Sequence, residues 1–162
     1  MGEEITLKRP DRGPAMDAFL VRAGWEHATR RPLAGDASFR RYERVQEGRH
    51  HAVLMDAPPP WEDVRPFVQV TEILRSMDVS VPTILASDAE QGFLLLEDLG
   101  DASFSRVVKE NPAREAEIYR AAVGALASIY NQSKLYAEDY AKQLKPYNEA
   151  VYLREVALFS DW

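Results

Sequence analysis

The segment Leu33-Ala34-Gly35-Asp36-Ala37-Ser38-Phe39-Arg40-Arg41 concentrates the residues best suited to chemistry. A turn of small residues around Gly35 exposes several backbone N–H groups. The short side chains of Asp36, Ala37 and Ser38 let an anion approach those groups closely, as in the backbone nests that bind phosphates. Arg40 and Arg41 stand just beyond. Guanidinium groups so placed complement a polyphosphate through bidentate hydrogen bonds that a lysine cannot make. The same pattern also describes an ordinary hairpin with solvated arginines, since Gly-Asp turns are common, and local residues do not choose between the two.

A second run, Gly92-Phe93-Leu94-Leu95-Leu96-Glu97-Asp98-Leu99-Gly100, passes from a nearly continuous apolar stretch into an acidic, Gly-ended one. It suits a connector between two lobes whose backbone groups meet a planar ligand. It equally suits a buried central strand followed by a polar loop. The three histidines carry little: His50 and His51 are adjacent and point to opposite faces of a strand, His27 is remote, and no HExxH or other metal-ligand spacing occurs. No GxSxG, GxxxxGK[ST] or GxGxxG is present, so the hydrolase, P-loop and dinucleotide readings lack their nucleating residues.

These segments need elements to hold them. Pro14 to about Ala23 reads as a short amphipathic helix stopped by Gly24. Ala28 to Val45 is β-compatible on both sides of the Gly35 turn, and Ala52 to Asp56 makes a third strand ended by Pro58-Pro59-Pro60. Val64, Phe67, Val68, Thr71 and Leu74 form an apolar stripe on a helix that Asp63 can cap and that ends before Pro82. Strand-like runs follow at Thr83 to Ser87 and Gly92 to Glu97. After Gly100 the pattern is helical only: a short helix from Ser103, a long one from Asn111-Pro112 with Tyr119, Ala122, Val123, Leu126 and Tyr130 on one face, and a last one from Glu149 to Phe159. The stop at Trp162, with nothing to cover these faces, is expected of a truncated chain.

The 162 residues are enough for one domain or for a small domain and part of another. With no cysteine, disulfides, thiolate metal sites and cysteine nucleophiles are excluded. The net charge of -6 argues against a nucleic-acid partner, although residues 1–50 carry +2 and residues 51–162 carry -8. No apolar run nears the roughly 18 residues of a membrane span, and the charged N-terminus is unlike a signal peptide, so a cytoplasmic location with no membrane partner is expected.

Taken in order, four pieces resemble the N-terminal part of the aminoglycoside phosphotransferase and choline kinase-like family. They are Leu33 to Tyr42, Val53-Leu54-Met55-Asp56-Ala57-Pro58-Pro59, Val81-Pro82 before Ile84-Leu85-Ala86, and Leu94 to Gly100. Within that family the chain is similar to the bacterial subgroup that phosphorylates amino sugars, the anomeric kinases of N-acetylmuramate and N-acetylglucosamine. The resemblance implies an α+β fold: a protein-kinase-like N-lobe over residues 1–98, with a five-stranded antiparallel sheet plus a helix, then a hinge and the first helices of a helical C-lobe over 99–162. It implies ATP and Mg²⁺ as cofactors and a small-molecule acceptor, a cell-wall amino sugar above all. Gly35, Asp36, Ala37, Ser38 and Phe39 would cover the ATP phosphates, Glu97, Asp98 and Leu99 would be the hinge, and Glu72 would be the helix glutamate.

Two departures qualify the resemblance. The third strand has Met55 where protein kinases place a phosphate-binding lysine, and Arg40 or Arg41 is expected to supply that charge. No HxDxxxxN loop and no later metal-binding Asp motif occur, so no catalytic or metal-ligating residue is assigned and these residues alone are expected not to transfer phosphate. The rivals are a non-catalytic α+β module whose uncovered helices dock on a partner or self-associate, and a nucleotide-binding remnant.

Overall fold

A computed structural model describes residues 11–33, 39–135 and 137–160. Helix α1 (Gly13–Arg22) precedes strands β1 (Thr29–Pro32), β2 (Arg41–Glu47) and β3 (His50–Asp56). Helix α2 (Arg65–Ser76) leads to β4 (Ile84–Asp88) and β5 (Phe93–Glu97). The remainder is helical: α3 (Phe104–Glu110), a 3-10 turn (Pro112–Arg114), α4 (Glu115–Leu135), α5 (Ala137–Gln143) and α6 (Glu149–Ser160). The five strands form one antiparallel sheet in the order β1-β2-β3-β5-β4. This is the α+β fold, a kinase-like N-lobe followed by helices, that the resemblance implied, and the order of elements is the one the residue pattern gave. Helix α5 was not foreseen, although Glu138 and Asp139 in its first turn and Lys142 in its last match the helix dipole.

The apolar run of β5 is explained by its place between β3 and β4, where both faces are covered. Phe93, Leu94 and Leu95 are fully buried, and alternate residues serve opposite cores. On one face Phe93 and Leu95 join Val45, Ala52 and Leu54 beneath Met16, Phe19 and Leu20 of α1, and the rings of Phe19 and Phe93 stack 5.5 Å apart. On the other, Leu94 and Leu96 join Met55 and Ala57, against Val64 at the start of α2 and with Phe67 and Val68 packed alongside. Each such side chain contributes about 1.5–3 kcal/mol by leaving water, so the sheet holds both helices.

The entrance to β5 is shaped by Gly92, whose φ is +74°. A Cβ there would stand 2.0 Å from the carbonyl oxygen of Ala57. That close approach lets the Ala57 N–H donate to the Gly92 carbonyl at 2.8 Å, joining the end of β3 to the start of β5.

The helical part packs differently. Along α4 only Ile118 is buried, while Tyr119, Val123, Leu126 and Tyr130 are all at least 60% exposed. Ser76 at the end of α2 and Tyr140 on α5 share a hydrogen bond of 3.2 Å through their hydroxyls. Among the described residues no helix is long and apolar enough to cross a membrane.

Candidate functional site

Strand alternation assigns each expected site residue to a face. Tyr42 pairs with Met55 and Arg44 with Val53, so these four share the α2 face of the sheet. Arg41 pairs with Asp56 on the opposite, α1 face. There the Asp56 carboxylate, 2% exposed, accepts from Arg41 Nη2 at 2.6 Å and from Arg12 Nε at 2.8 Å. Arg12 also donates to the Gln91 carbonyl and lies 4.4 Å from the centroid of the Phe93 ring. Arg41, one of the two arginines expected to supply the missing charge, is thus on the face opposite Met55 and is held by Asp56.

Arg40 is placed otherwise. Its Nε donates to Glu62 Oε2 at 2.9 Å. Burial opposes its charge, but the hydrogen bond and charge of Glu62, with a smaller contribution from Tyr42, more than offset this and raise its pKa. Phe39 stacks on Trp61 at 6.0 Å. Met55 is buried beside Tyr42, in the apolar cluster against α2. The expected phosphate turn, Gly35, Asp36, Ala37 and Ser38, lies outside the described residues.

Glu72 is the expected helix glutamate. It is exposed on α2 and lines a shallow groove with Arg65, Val68, Gln69, Ser87 and Ala89. It forms no ion pair among the described residues, and its buried neighbour Thr71 turns inward, donating its hydroxyl to the Phe67 carbonyl at 2.8 Å. One residue is 100° on a helix, which separates these two positions.

At the far end of β5 the expected hinge closes a depression of about 270 Å³. Leu33, Val53, Pro82, Leu96 and Leu99 supply apolar walls, and Glu97 to Asp101 supply a backbone rim. Glu97 Oε2 accepts from the Thr83 N–H at 3.0 Å and the Thr83 hydroxyl at 2.9 Å, which lowers its pKa. Asp98 Oδ1 accepts from the Gly100 N–H at 2.9 Å, and Gly100 takes φ +75°, turning the chain sharply.

Arg44 is the residue that sequence reasoning did not single out as part of a site. It lines the depression and reaches both carboxylates of the rim: Nη2 lies 3.1 Å from Asp98 Oδ1 and 2.8 Å from Asp101 Oδ1. Its Nε lies 2.7 Å from Asp98 Oδ2, but the N–H does not point along that line and makes no hydrogen bond there. The hydrogen bonds that Arg44 donates to Asp101 and then to Asp98 raise its pKa, and the Asp101 pKa is lowered by the same contact. The early basic excess was visible in the sequence, but the pairing spans 54 and 57 residues and has no local signature.

An antiparallel sheet thus carries an apolar depression rimmed by the Glu97–Asp101 backbone, with Arg44 of β2 at its edge. Among the described residues no group of three or more His, Cys, Asp or Glu could hold a metal ion. The chain belongs to the phosphotransferase enzyme family, which it matches over residues 29–159.

Three relatives carry the name N-acetylmuramate/N-acetylglucosamine kinase. The protein of Pseudomonas aeruginosa is 45% identical over 147 residues, covering 89% of this chain and 41% of that relative. Those of Caulobacter vibrioides and Neisseria meningitidis are 33% and 32% identical, covering 74% and 80% of this chain. The chain thus spans about two-fifths of the length of these relatives.

Proposed function

We propose that residues 1–98 form the nucleotide-binding lobe of an ATP-dependent small-molecule kinase, and that 99–162 form its hinge and the first helices of a second lobe. The acceptor is a sugar hydroxyl, in keeping with the names of the relatives, and a cell-wall amino sugar is the first choice. The observation that carries this reading is the cleft between the sheet and the Glu97–Asp101 rim, in a chain of the phosphotransferase family.

Val53, Leu96 and Leu33 suit the faces of a planar base, and the backbone groups of Glu97, Asp98 and Leu99 suit its polar edge. From Arg44 at this rim, the chain leads back along β2 to Arg40, the residue before the strand and four positions away, roughly 13 Å at 3.3 Å per residue. That length carries an extended nucleotide from its base to its outer phosphates, where Phe39 and the Gly35–Ser38 turn complete the expected cover. ATP would supply the transferable phosphoryl group and Mg²⁺ would neutralise the phosphates, its ligands expected from groups other than those described. With no HxDxxxxN motif, the chain alone binds ATP but does not transfer phosphate.

Calorimetric titration of the chain with ATP and Mg²⁺, together with an assay of phosphate transfer to N-acetylglucosamine, tests the reading. Saturable ATP binding without transfer supports it, and transfer by the chain alone would refute the inactivity. Absence of any nucleotide binding would favour the alternative that the exposed face of α4 suggests, a non-catalytic interaction or self-associating module.

A further inference from the structure

The charge at the phosphate end of the cleft is held by an element other than helix α2. Arg40 Nε donates to Glu62, which sits in the turn joining β3 to α2 and is 15% exposed against 33% for Arg40. A second link runs beside the first: one residue earlier on each segment, Phe39 and Trp61 stack with an interplanar angle of 22°. Two adjacent cross-links, one aromatic and one ionic, fix the strand entrance and the guanidinium together. Two residues further along, Tyr42 is the cross-strand partner of Met55. Arg40 thus already has a carboxylate partner close to the start of β2, whereas Glu72 is exposed and forms no ion pair among the described residues.

We propose that Glu62 is the positioning residue for Arg40, and that the two form the cation–carboxylate pair that orients a nucleotide's outer phosphates in this chain. The inference rests on the nucleotide-binding reading above and deepens it. A long side chain loses rotamer freedom when it grips a ligand. Glu62 has already imposed that ordering on Arg40, so less is lost on binding. The carboxylate also offsets part of the positive charge that a phosphate would meet. The sign of its effect on affinity therefore separates a positioner from a competitor.

Binding of ATP and of AMP, which lacks the outer phosphates, is measured by calorimetry for the 162-residue chain and for Glu62→Ala, Glu62→Gln, Arg40→Ala and the double variant Glu62→Ala/Arg40→Ala. Glu62→Ala is expected to weaken ATP binding by about tenfold, the scale of one charge-assisted hydrogen bond, with AMP binding changed less than about twofold. The double variant is expected to lose no more than Arg40→Ala, because Glu62 acts only through Arg40. An unchanged ATP-to-AMP ratio, tighter ATP binding, or additive losses would overturn the inference while leaving the nucleotide reading intact. If the unaltered chain binds neither nucleotide, the reading fails and the inference with it. If Glu62→Ala loses AMP binding as well, it has lost its fold, and the same ratio measured in the isosteric Glu62→Gln decides.

Discussion

Asp56 is a buried carboxylate that ties separate N-terminal segments together. Its buried carboxylate joins Arg12, which leads into α1, to Arg41 at the start of β2. Removing one partner of a buried ion pair leaves uncompensated charge. Asp56→Ala is therefore expected to destabilise the chain by about 3 kcal/mol, the low end of the usual range because both arginines are partly solvated, read as a lower urea midpoint. Gly92→Ala belongs to the same scale. It would combine a positive φ with a Cβ against backbone at 2.0 Å, so a loss of about 2 kcal/mol or more is expected in the same unfolding experiment. An unchanged midpoint in either variant would contradict the packing described. Neither role is legible locally, because Asp56 meets Arg12 across 44 positions and Gly92 meets Ala57 across a strand pair.

The strands and helices themselves were largely readable from periodicity, and the reasons are physical. The β5 run Phe93-Leu94-Leu95-Leu96 is apolar throughout because both its faces are covered, and α2 shows its stripe because only one of its faces is. What periodicity could not supply was phase between elements. Arg40 and Arg41 look alike in sequence, yet one pairs with Glu62 in the turn before α2 and the other, on the α1 face of the sheet, with Asp56. Glu72 fell to the same ambiguity on a helix, one residue from buried Thr71. Arg44 escaped notice because its partners lie in a segment more than fifty residues on.

The Glu97–Asp101 rim also has a pH signature at this scale. Glu97 and Asp101 both have folded pKa values below their ordinary 4.5 and 3.8. As pH falls the unfolded chain therefore takes up these protons first. Their contribution to stability is complete above those ordinary values and disappears as pH drops through the lower folded ones. Thr83→Val removes one donor to Glu97 and keeps the backbone N–H, so a shallower fall of the urea midpoint below pH 4.5 is expected. A fall as steep as that of the unaltered chain would contradict the assignment.

At the scale of the molecule, burial among the described residues is concentrated before Gly100, and among the described residues of the later helices Ile118 alone joins the buried apolar set. Local opening follows that distribution, since segments with few buried contacts open at low cost. Amides of β3 and β5 are accordingly expected to exchange far more slowly than those of α4 and α6, and equal protection throughout would contradict this division.

The central claim is that the cleft between the sheet and the Glu97–Asp101 rim takes a nucleotide, and hydrogen exchange with and without ATP tests it most directly. Added protection at Arg44, Val53 and Leu96 to Asp101, extending along β2 to Arg40, is the result this account predicts. No change there, or protection confined to α4 and α6, would contradict it.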